Sequence, residues 1–347
     1  MTLPITIALD VMGGDHGPDS VLPGAELALA RHPGIKFLLF GDEKIINNYL
    51  QKKPKLAAVS KVFHAELTIK GDDKPSAALR ASKGTSMRLA IEAVKDKKAH
   101  VVVSAGNTGA LMALAKLILK TVPGIHRPAI ASVFPTMDKD TVMLDLGANV
   151  LVDSENLVQF AVLGSVFAKS RGVEKPTVGL LNVGSEETKG PDHVKGAAAI
   201  LSRVEFPGQY YGFVEGDDIT KGTVDVVVSD GYAGNIALKS AEGVGKLTSY
   251  LFKYYMMRDP IAIIGSLFSF GALKRIKNRI DPRRYNGGVF LGLNGLCIKS
   301  HGGCDPLAFS SAVSLASELA TNGYVEKVAE DINNLIQQET FLSEETV

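Results

Sequence analysis

The chain has 347 residues, of which 46% are hydrophobic, and its formal net charge at pH 7 is +1. The apolar fraction excludes disorder for the bulk of the chain, and the near-neutral charge argues against nucleic acid as a partner. Two cysteines, Cys297 and Cys304, are too few for a disulfide framework and lack a metal-ligand spacing. We therefore expect a cytoplasmic, single-domain protein over residues 1–347, without a metal or cofactor.

Apolar strand-like runs alternate with helix-like patterns along the chain. This alternation predicts a three-layer α/β/α sandwich, in which a mostly parallel sheet carries helices on both faces. The predicted strands cover residues 5–9, 36–41, 101–104, 141–145, 177–181, 224–229 and 288–293. The predicted helices cover residues 20–30, 43–51, 86–95, 109–120, 155–171, 193–203, 235–257 and 307–321.

The first predicted strand ends in a loop, residues 10–19, that is crowded with glycine, aspartate and a histidine. A turn with an aspartate cap would account for most of these residues. Histidine, however, is the side chain best suited to move a proton near neutral pH, and it favours a functional loop. We predict that His16 is catalytic and that Gly13, Gly14 and Asp15 bind substrate.

Two later segments read almost alike although they begin 125 positions apart, at residues 101 and 226. Each runs from a β-branched strand through a loop of small residues into an apolar helix. The start of such a helix offers unpaired backbone N–H groups to an anion. We expect both turns to meet at the carboxyl edge of one sheet. The predicted substrate-binding residues there are Ser104, Gly106, Asn107, Gly109, Gly231 and Asn235.

Another predicted strand ends in a loop with more polar groups than packing requires. Lys189 in this loop can hold a phosphate as a point charge, although a solvated loop with a surface lysine explains it equally well. We predict that Lys189 and Asp230 are catalytic, that both converge with His16 on one pocket, and that Asn182 binds substrate. Asp145 either orients a catalytic partner or caps a turn, and we favour the cap.

Signatures of several other enzyme classes are missing. No glycine-rich dinucleotide fingerprint follows a strand, and Gly245-Lys246 lacks the neighbours of a phosphate-binding P-loop. No serine nucleophile elbow is found, and neither cysteine lies in the context of a nucleophile. The sequence therefore does not support a covalent enzyme intermediate.

Residues 260–273 are strongly apolar but shorter than the roughly 18 residues that suggest a membrane-spanning helix. Six basic residues follow: Lys274, Arg275, Lys277, Arg279, Arg283 and Arg284. An apolar stretch joined to a basic cluster is typical of an element that lies on anionic lipid. We predict a protruding hairpin or hinged helix pair over residues 250–285. Its predicted membrane contacts are Ile261, Ile264, Leu267, Phe268, Lys274 and Arg275, and a buried hairpin or dimer interface is the alternative.

These motifs together resemble one enzyme family. Similarity to the acyl-carrier-protein phosphate acyltransferases, the PlsX family, extends in order over residues 7–18, 103–110, 181–190, 228–235 and 299–302. One departure is Gly303-Cys304, where a small polar or alanine pair is expected. The resemblance covers nearly the whole chain.

The resemblance implies a fold similar to that of isocitrate dehydrogenases and phosphotransacetylases, usually as a homodimer. It implies transfer of a fatty acyl group from acyl carrier protein to inorganic phosphate, which yields acyl phosphate for phospholipid synthesis. It also implies a peripheral position at the cytoplasmic membrane, where a downstream membrane acyltransferase uses the product. Two alternatives stay open: a phosphotransacetylase-like transfer with coenzyme A, and a non-catalytic regulator that binds acyl groups or phosphate.

Overall fold

The computed structural model describes residues 4–344, and the side chains of Lys277 and residues 338–344 lie outside the description. Within this range the strands are β1 (Thr6–Asp10), β2 (Lys36–Gly41), β3 (Ser60–His64), β4 (Val101–Ser104), β5 (Ala129–Pro135), β6 (Asp140–Leu144), β7 (Thr177–Leu181), β8 (Gln209–Val214), β9 (Val226–Val228), β10 (Gly288–Leu291) and β11 (Leu296–Lys299). The helices are α1 (Pro18–Arg31), α2 (Glu43–Leu50), α3 (Pro54–Ala57), α4 (Pro75–Arg80), α5 (Ser86–Lys95), α6 (Thr108–Leu119), α7 (Ser154–Ser170), α8 (Asp192–Leu201), α9 (Gly216–Lys221), α10 (Gly231–Met256), α11 (Pro260–Phe268), α12 (Phe270–Ile280), α13 (Pro306–Thr321) and α14 (Tyr324–Glu344).

The strands form one sheet in the order β3-β2-β1-β4-β11-β10-β5-β6-β9-β7-β8. Neighbouring strands are parallel from β3 to β11 and again from β6 to β8. Three antiparallel pairs, β11–β10, β10–β5 and β5–β6, join these two parallel blocks at the centre. Because three reversals separate the blocks, β1, β4 and β11 run opposite to β6, β9 and β7 along the sheet.

Helices cover both faces of this sheet, which confirms the predicted three-layer α/β/α sandwich. Leu9 of β1 belongs to a core shared with α1, α7 and α13, whereas its neighbour Ala8 belongs to a core shared with α5 and α6. Such alternation between two apolar environments is typical of a parallel strand that is buried on both faces.

The predicted bounds of three strands, β2, β4 and β7, and of helix α5 agree with the structure. Strands β3 and β8, at the two edges of the sheet, are not predicted from the sequence. Most of their residues are half-buried or exposed, so their apolar pattern is weak. Strands β5 and β11, in the mixed centre of the sheet, are not predicted either.

The apolar and basic segment lies in an exposed helical arm, residues 239–280 of α10, α11 and α12. Every described side chain in this arm is exposed or half-buried, so the exposed stretch begins before the predicted start at residue 250. Asp259 caps α11, and Ser269 separates α11 from α12, so two successive helices form the end of the arm. The predicted hinge between them stays a prediction. No helix in the described part of the chain is long and apolar enough to cross a membrane.

The packing of α1 on α13 requires a glycine at position 24. A Cβ atom there would lie 2.9 Å from the Cβ atom of Phe309 and 3.0 Å from the carbonyl oxygen of Pro306. We expect Gly24→Ala to lower the free energy of unfolding by about 1–3 kcal/mol, because the close-packed neighbouring atoms cannot move far enough to accommodate an added methyl group. Gly34→Ala is the control, since nothing lies within 4 Å of its Cβ position. Equal urea midpoints for the two variants would contradict this packing.

Candidate active site

Three loops meet at the carboxyl ends of β1, β4 and β11, and we call them the N-terminal loop cluster (residues 11–17, 105–108 and 300–304). The Asp15 amide of the first loop donates a hydrogen bond to the Gly302 carbonyl of the third, at 2.9 Å. A Cβ atom on Gly13 would lie 2.8 Å from the Gly106 amide nitrogen, and one on Gly14 would lie 2.8 Å from the Gly302 carbonyl oxygen. The structure thus brings together four predicted substrate-binding residues: Gly13, Gly14, Asp15 and Gly106. The backbones approach so closely at Gly13 and Gly14 that a Cβ atom would clash there.

The buried carboxyl group of Asp10, at the end of β1, supports these loops. Its Oδ1 accepts a hydrogen bond from Ser86 Oγ at 2.6 Å, and its Oδ2 accepts one from Ser104 Oγ at 2.7 Å. Ser104 Oγ in turn accepts from the Gly106 amide at 3.0 Å. Burial raises the pKa of Asp10, and the two serine hydroxyls oppose part of this increase. In this structure Ser104 therefore braces the second loop through Asp10.

Lys299, at the end of β11, brings a basic group to the same cluster, and the sequence analysis did not select it. Its Nζ atom donates to the Ala105 carbonyl at 3.3 Å and also to the Ser300 carbonyl. Burial lowers the pKa of this ammonium group to about 8, although neighbouring acidic groups raise it in part. The sequence signal that could have selected Lys299 is its place in the motif at residues 299–302, over which the family resemblance extends.

Asn107 begins α6 and is fully engaged with the backbone. Its Oδ1 accepts from the Ala110 amide at 2.9 Å, while Nδ2 donates to the carbonyls of Gly71 and Asp73 at 2.8 and 3.0 Å. Gly109 lies in the first turn of the same helix, where a Cβ atom would be 2.7 Å from a proline ring. Direct contact between the Asn107 amide and a substrate would require the segment around residue 72 to release it.

The three predicted catalytic residues have separate surroundings. The exposed His16 side chain makes no hydrogen bond to a described residue. Lys189 Nζ pairs with Glu186 at 2.7 Å on the surface, and this hydrogen bond raises the pKa of Lys189. Asp230 caps α10, and its Oδ2 lies 3.8 Å from Nε2 of His193, a histidine that the sequence analysis placed only as the start of a helix. No hydrogen bond or ion pair between described residues joins these three side chains.

The expectation that all three lie at one carboxyl edge of the sheet is wrong. His16 follows β1, whereas Lys189 and Asp230 follow β7 and β9, which run in the opposite direction along the sheet. The twin loops after β4 and β9 are separated in the same way. The cause is the three antiparallel pairs at the centre, which a local sequence pattern does not reveal. The catalytic roles of these residues stay predictions.

A second cluster surrounds Asp145, which follows β6. Its carboxylate accepts hydrogen bonds from the Ile130 amide and from three successive amides that end at Asn149. Burial raises the pKa of Asp145, and these donors oppose the increase. Asp145 therefore caps the turn, as favoured from the sequence. Gly231 donates to the Asn149 carbonyl at 2.7 Å, and the exposed Asn235 lies beside the same loop.

Asn182 braces the loop that carries Lys189. Its Nδ2 donates to the carbonyls of Gly184 and Lys189 at 3.2 and 3.0 Å. Its buried Oδ1 accepts no hydrogen bond from the described residues. A Cβ atom on Gly190 would overlap this amide, at 1.8 Å from Oδ1. The structure therefore gives Asn182 a bracing position inside its loop.

Removal of the Asp10 carboxylate tests whether it supports the N-terminal loop cluster. Asp10→Ala leaves the hydroxyls of Ser86 and Ser104 without their acceptor, and each buried unpaired group costs about 1–3 kcal/mol. We expect the free energy of unfolding to fall by about 2–4 kcal/mol in guanidinium titrations. The exposed Asp72→Ala is the control, with an expected change within about 0.5 kcal/mol. A loss below about 1 kcal/mol for Asp10→Ala would contradict the supporting role.

Comparison with known sequences gives consistent matches over nearly the full chain. A family model described as fatty acid synthesis protein matches residues 5–327. The phosphate acyltransferase of Rhodospirillum centenum is 53% identical over 330 residues, which cover 95% of this chain and 93% of that protein. The phosphate acyltransferase of Parvibaculum lavamentivorans is 50% identical over 337 residues, which cover 96% of this chain and 93% of that protein.

Solved structures with the same architecture include two phosphotransacetylases. The EutD phosphotransacetylase from Staphylococcus aureus superposes with a TM-score of 0.62 at 18% identity, over 91% of this chain and 94% of that one. A phosphotransacetylase from Streptococcus pyogenes gives a TM-score of 0.61 at 18% identity, with the same coverage. At such low identity the likeness shows the fold alone, and it confirms the predicted phosphotransacetylase-like fold.

Proposed function

Because this chain belongs to the fatty acid synthesis protein family and is an acyltransferase, we propose that it transfers a fatty acyl group from acyl carrier protein to inorganic phosphate. The product is acyl phosphate for phospholipid synthesis. The observation that carries the proposal is the identity, over nearly the whole chain, to relatives named phosphate acyltransferase. Because the chain is an acyltransferase, the alternative of a non-catalytic regulator is excluded.

The reaction requires the protein mainly to bind and orient the two substrates. Inorganic phosphate is anionic at pH 7, so one of its oxygens attacks the thioester carbonyl without a protein nucleophile. The C–S bond then breaks, and the thiolate leaves and takes up a proton. A free thiol has a pKa of about 8.5, so this departure needs only modest proton assistance. His16, exposed at the edge of the N-terminal loop cluster, is the proposed source of that proton or an orienting donor to phosphate.

The exposed helical arm favours a long-chain acyl group over a small one. Ile261 is 81% exposed and Phe268 is 89% exposed, which is unusual for such large apolar side chains. Contiguous exposed apolar surface is typical of a site that meets a membrane or another protein. A long-chain acyl phosphate is hydrophobic and needs such a surface for delivery to a membrane acyltransferase. The short-chain product of a coenzyme A-dependent transfer does not need one.

We assign the two ends of the arm to two partners. The tip, with Ile264 and Phe268 next to Lys274 and Arg275, lies on anionic lipid at the cytoplasmic face of the membrane. The stem in α10 exposes Val244, Leu247 and Leu251 at helical spacing, and we assign this stripe to a homodimer contact.

The acyl donor is tested by direct competition. With palmitoyl thioesters of acyl carrier protein and of coenzyme A at equal concentration, we expect acyl phosphate formation to be at least tenfold faster with the carrier protein. Mass spectrometry of the acyl phosphate measures both rates, and omission of inorganic phosphate is the control that abolishes product. Equal rates, or faster transfer from coenzyme A, would favour the phosphotransacetylase-like alternative.

The membrane assignment is tested at the tip of the arm. Burial of an Ile and a Phe contributes about 3–6 kcal/mol together, so Ile264→Ser with Phe268→Ser should weaken binding to anionic liposomes more than 100-fold in flotation. The oligomer and the rate with soluble substrates should not change. The matched pair Leu247→Ser with Leu251→Ser should instead dissociate the dimer. Loss of the dimer in the tip variant would show that the tip is a subunit interface.

A further inference from the structure

We propose that the Lys299 ammonium group receives the phosphate ion in the N-terminal loop cluster, an inference that rests on the proposed function. Lys299 ends β11 at the point where the three loops meet. Its Nζ atom has three N–H donors, and the carbonyls of Ala105 and Ser300 take two of them. One donor and the full positive charge remain for a ligand in the cluster.

The charge on Lys299 has no salt-bridge partner among the described residues. The titratable groups that face it are Asp10, Asp15, Cys297 and Cys304. Burial raises the pKa of Asp10 and of both thiols, and none of these three groups forms a salt bridge with Lys299 in the described part of the chain. Asp15 lies at the exposed edge of the cluster.

A partly buried cation without an ion-pair partner is costly, and such a charge is compensated when an anion binds beside it. A tetrahedral anion offers several acceptor oxygens, and one of them can accept the remaining N–H donor of Lys299. The chemical class of the ligand is therefore inorganic phosphate or a close analogue such as sulfate.

Lys189 was predicted from the sequence to hold the phosphate. It differs from Lys299 in its ion pair, its exposure and its position in the sheet. Its Nζ atom already pairs with Glu186, and its side chain lies on the surface. Its loop follows β7, in the other parallel block of the sheet. Of these two lysines, Lys299 is the one that forms no salt bridge with a described residue.

Anion binding to the full chain, without an acyl donor, tests the inference. Isothermal titration with inorganic phosphate and with sulfate at pH 7 should show at least tenfold weaker binding for Lys299→Met. Lys36→Met, an exposed lysine on β2, is the control with unchanged affinity. Unchanged affinity in Lys299→Met would overturn the proposal. A loss in Lys189→Met with none in Lys299→Met would overturn it as well.

The wild-type protein gives a second test that does not depend on the folding of a variant. Sulfate keeps its charge between pH 7 and 9, whereas Lys299, with a pKa of about 8, loses its proton over this range. The ammonium form binds the anion, so sulfate affinity should fall about tenfold from pH 7 to 9. A constant affinity would overturn the proposal. If anion binding depends on Lys299 but acyl carrier protein is no donor, the proposal stands and the proposed function fails.

Discussion

The backbones of three loops approach each other so closely at the ends of β1, β4 and β11 that only glycine fits at their contacts. Parallel pairing of these neighbouring strands places the loops at one edge of the sheet. Asp10 holds the second loop through Ser104, and Lys299 ties the second loop to the third through two carbonyl oxygens. The proposed phosphate site depends on this approach, because a side chain at Gly13 or Gly14 would force the loops apart.

The antiparallel centre of the sheet decides which loops share a site. It reverses the direction of β6, β9 and β7 relative to β1, β4 and β11, so the two similar strand-end motifs have different surroundings. Polar groups near the second motif brace the backbone: Asp145 caps the turn after β6, and Asn182 holds the loop after β7. Next to the first motif, Lys299 at the end of β11 has no salt-bridge partner among the described residues. The similar sequences therefore support different local chemistry.

Local sequence patterns predicted β2, β4 and β7 with the correct bounds, because an apolar run such as residues 101–103 favours a strand covered on both faces. Edge strands such as β3 lack that pattern and were missed. The order and direction of strands depend on contacts far apart in the chain, so the predicted convergence of His16 with Lys189 and Asp230 at one edge was wrong. Lys299 was missed because a lysine at a strand end looks like a surface residue until its neighbours are known.

The position of a bound anion tests this account most directly. A crystal structure with selenate, located by its anomalous scattering, would show which loops receive a tetrahedral anion. The account predicts selenate within hydrogen-bond distance of Lys299 Nζ, between the loops after β1 and β4. Selenate bound at Lys189, with the N-terminal loop cluster empty, would contradict it.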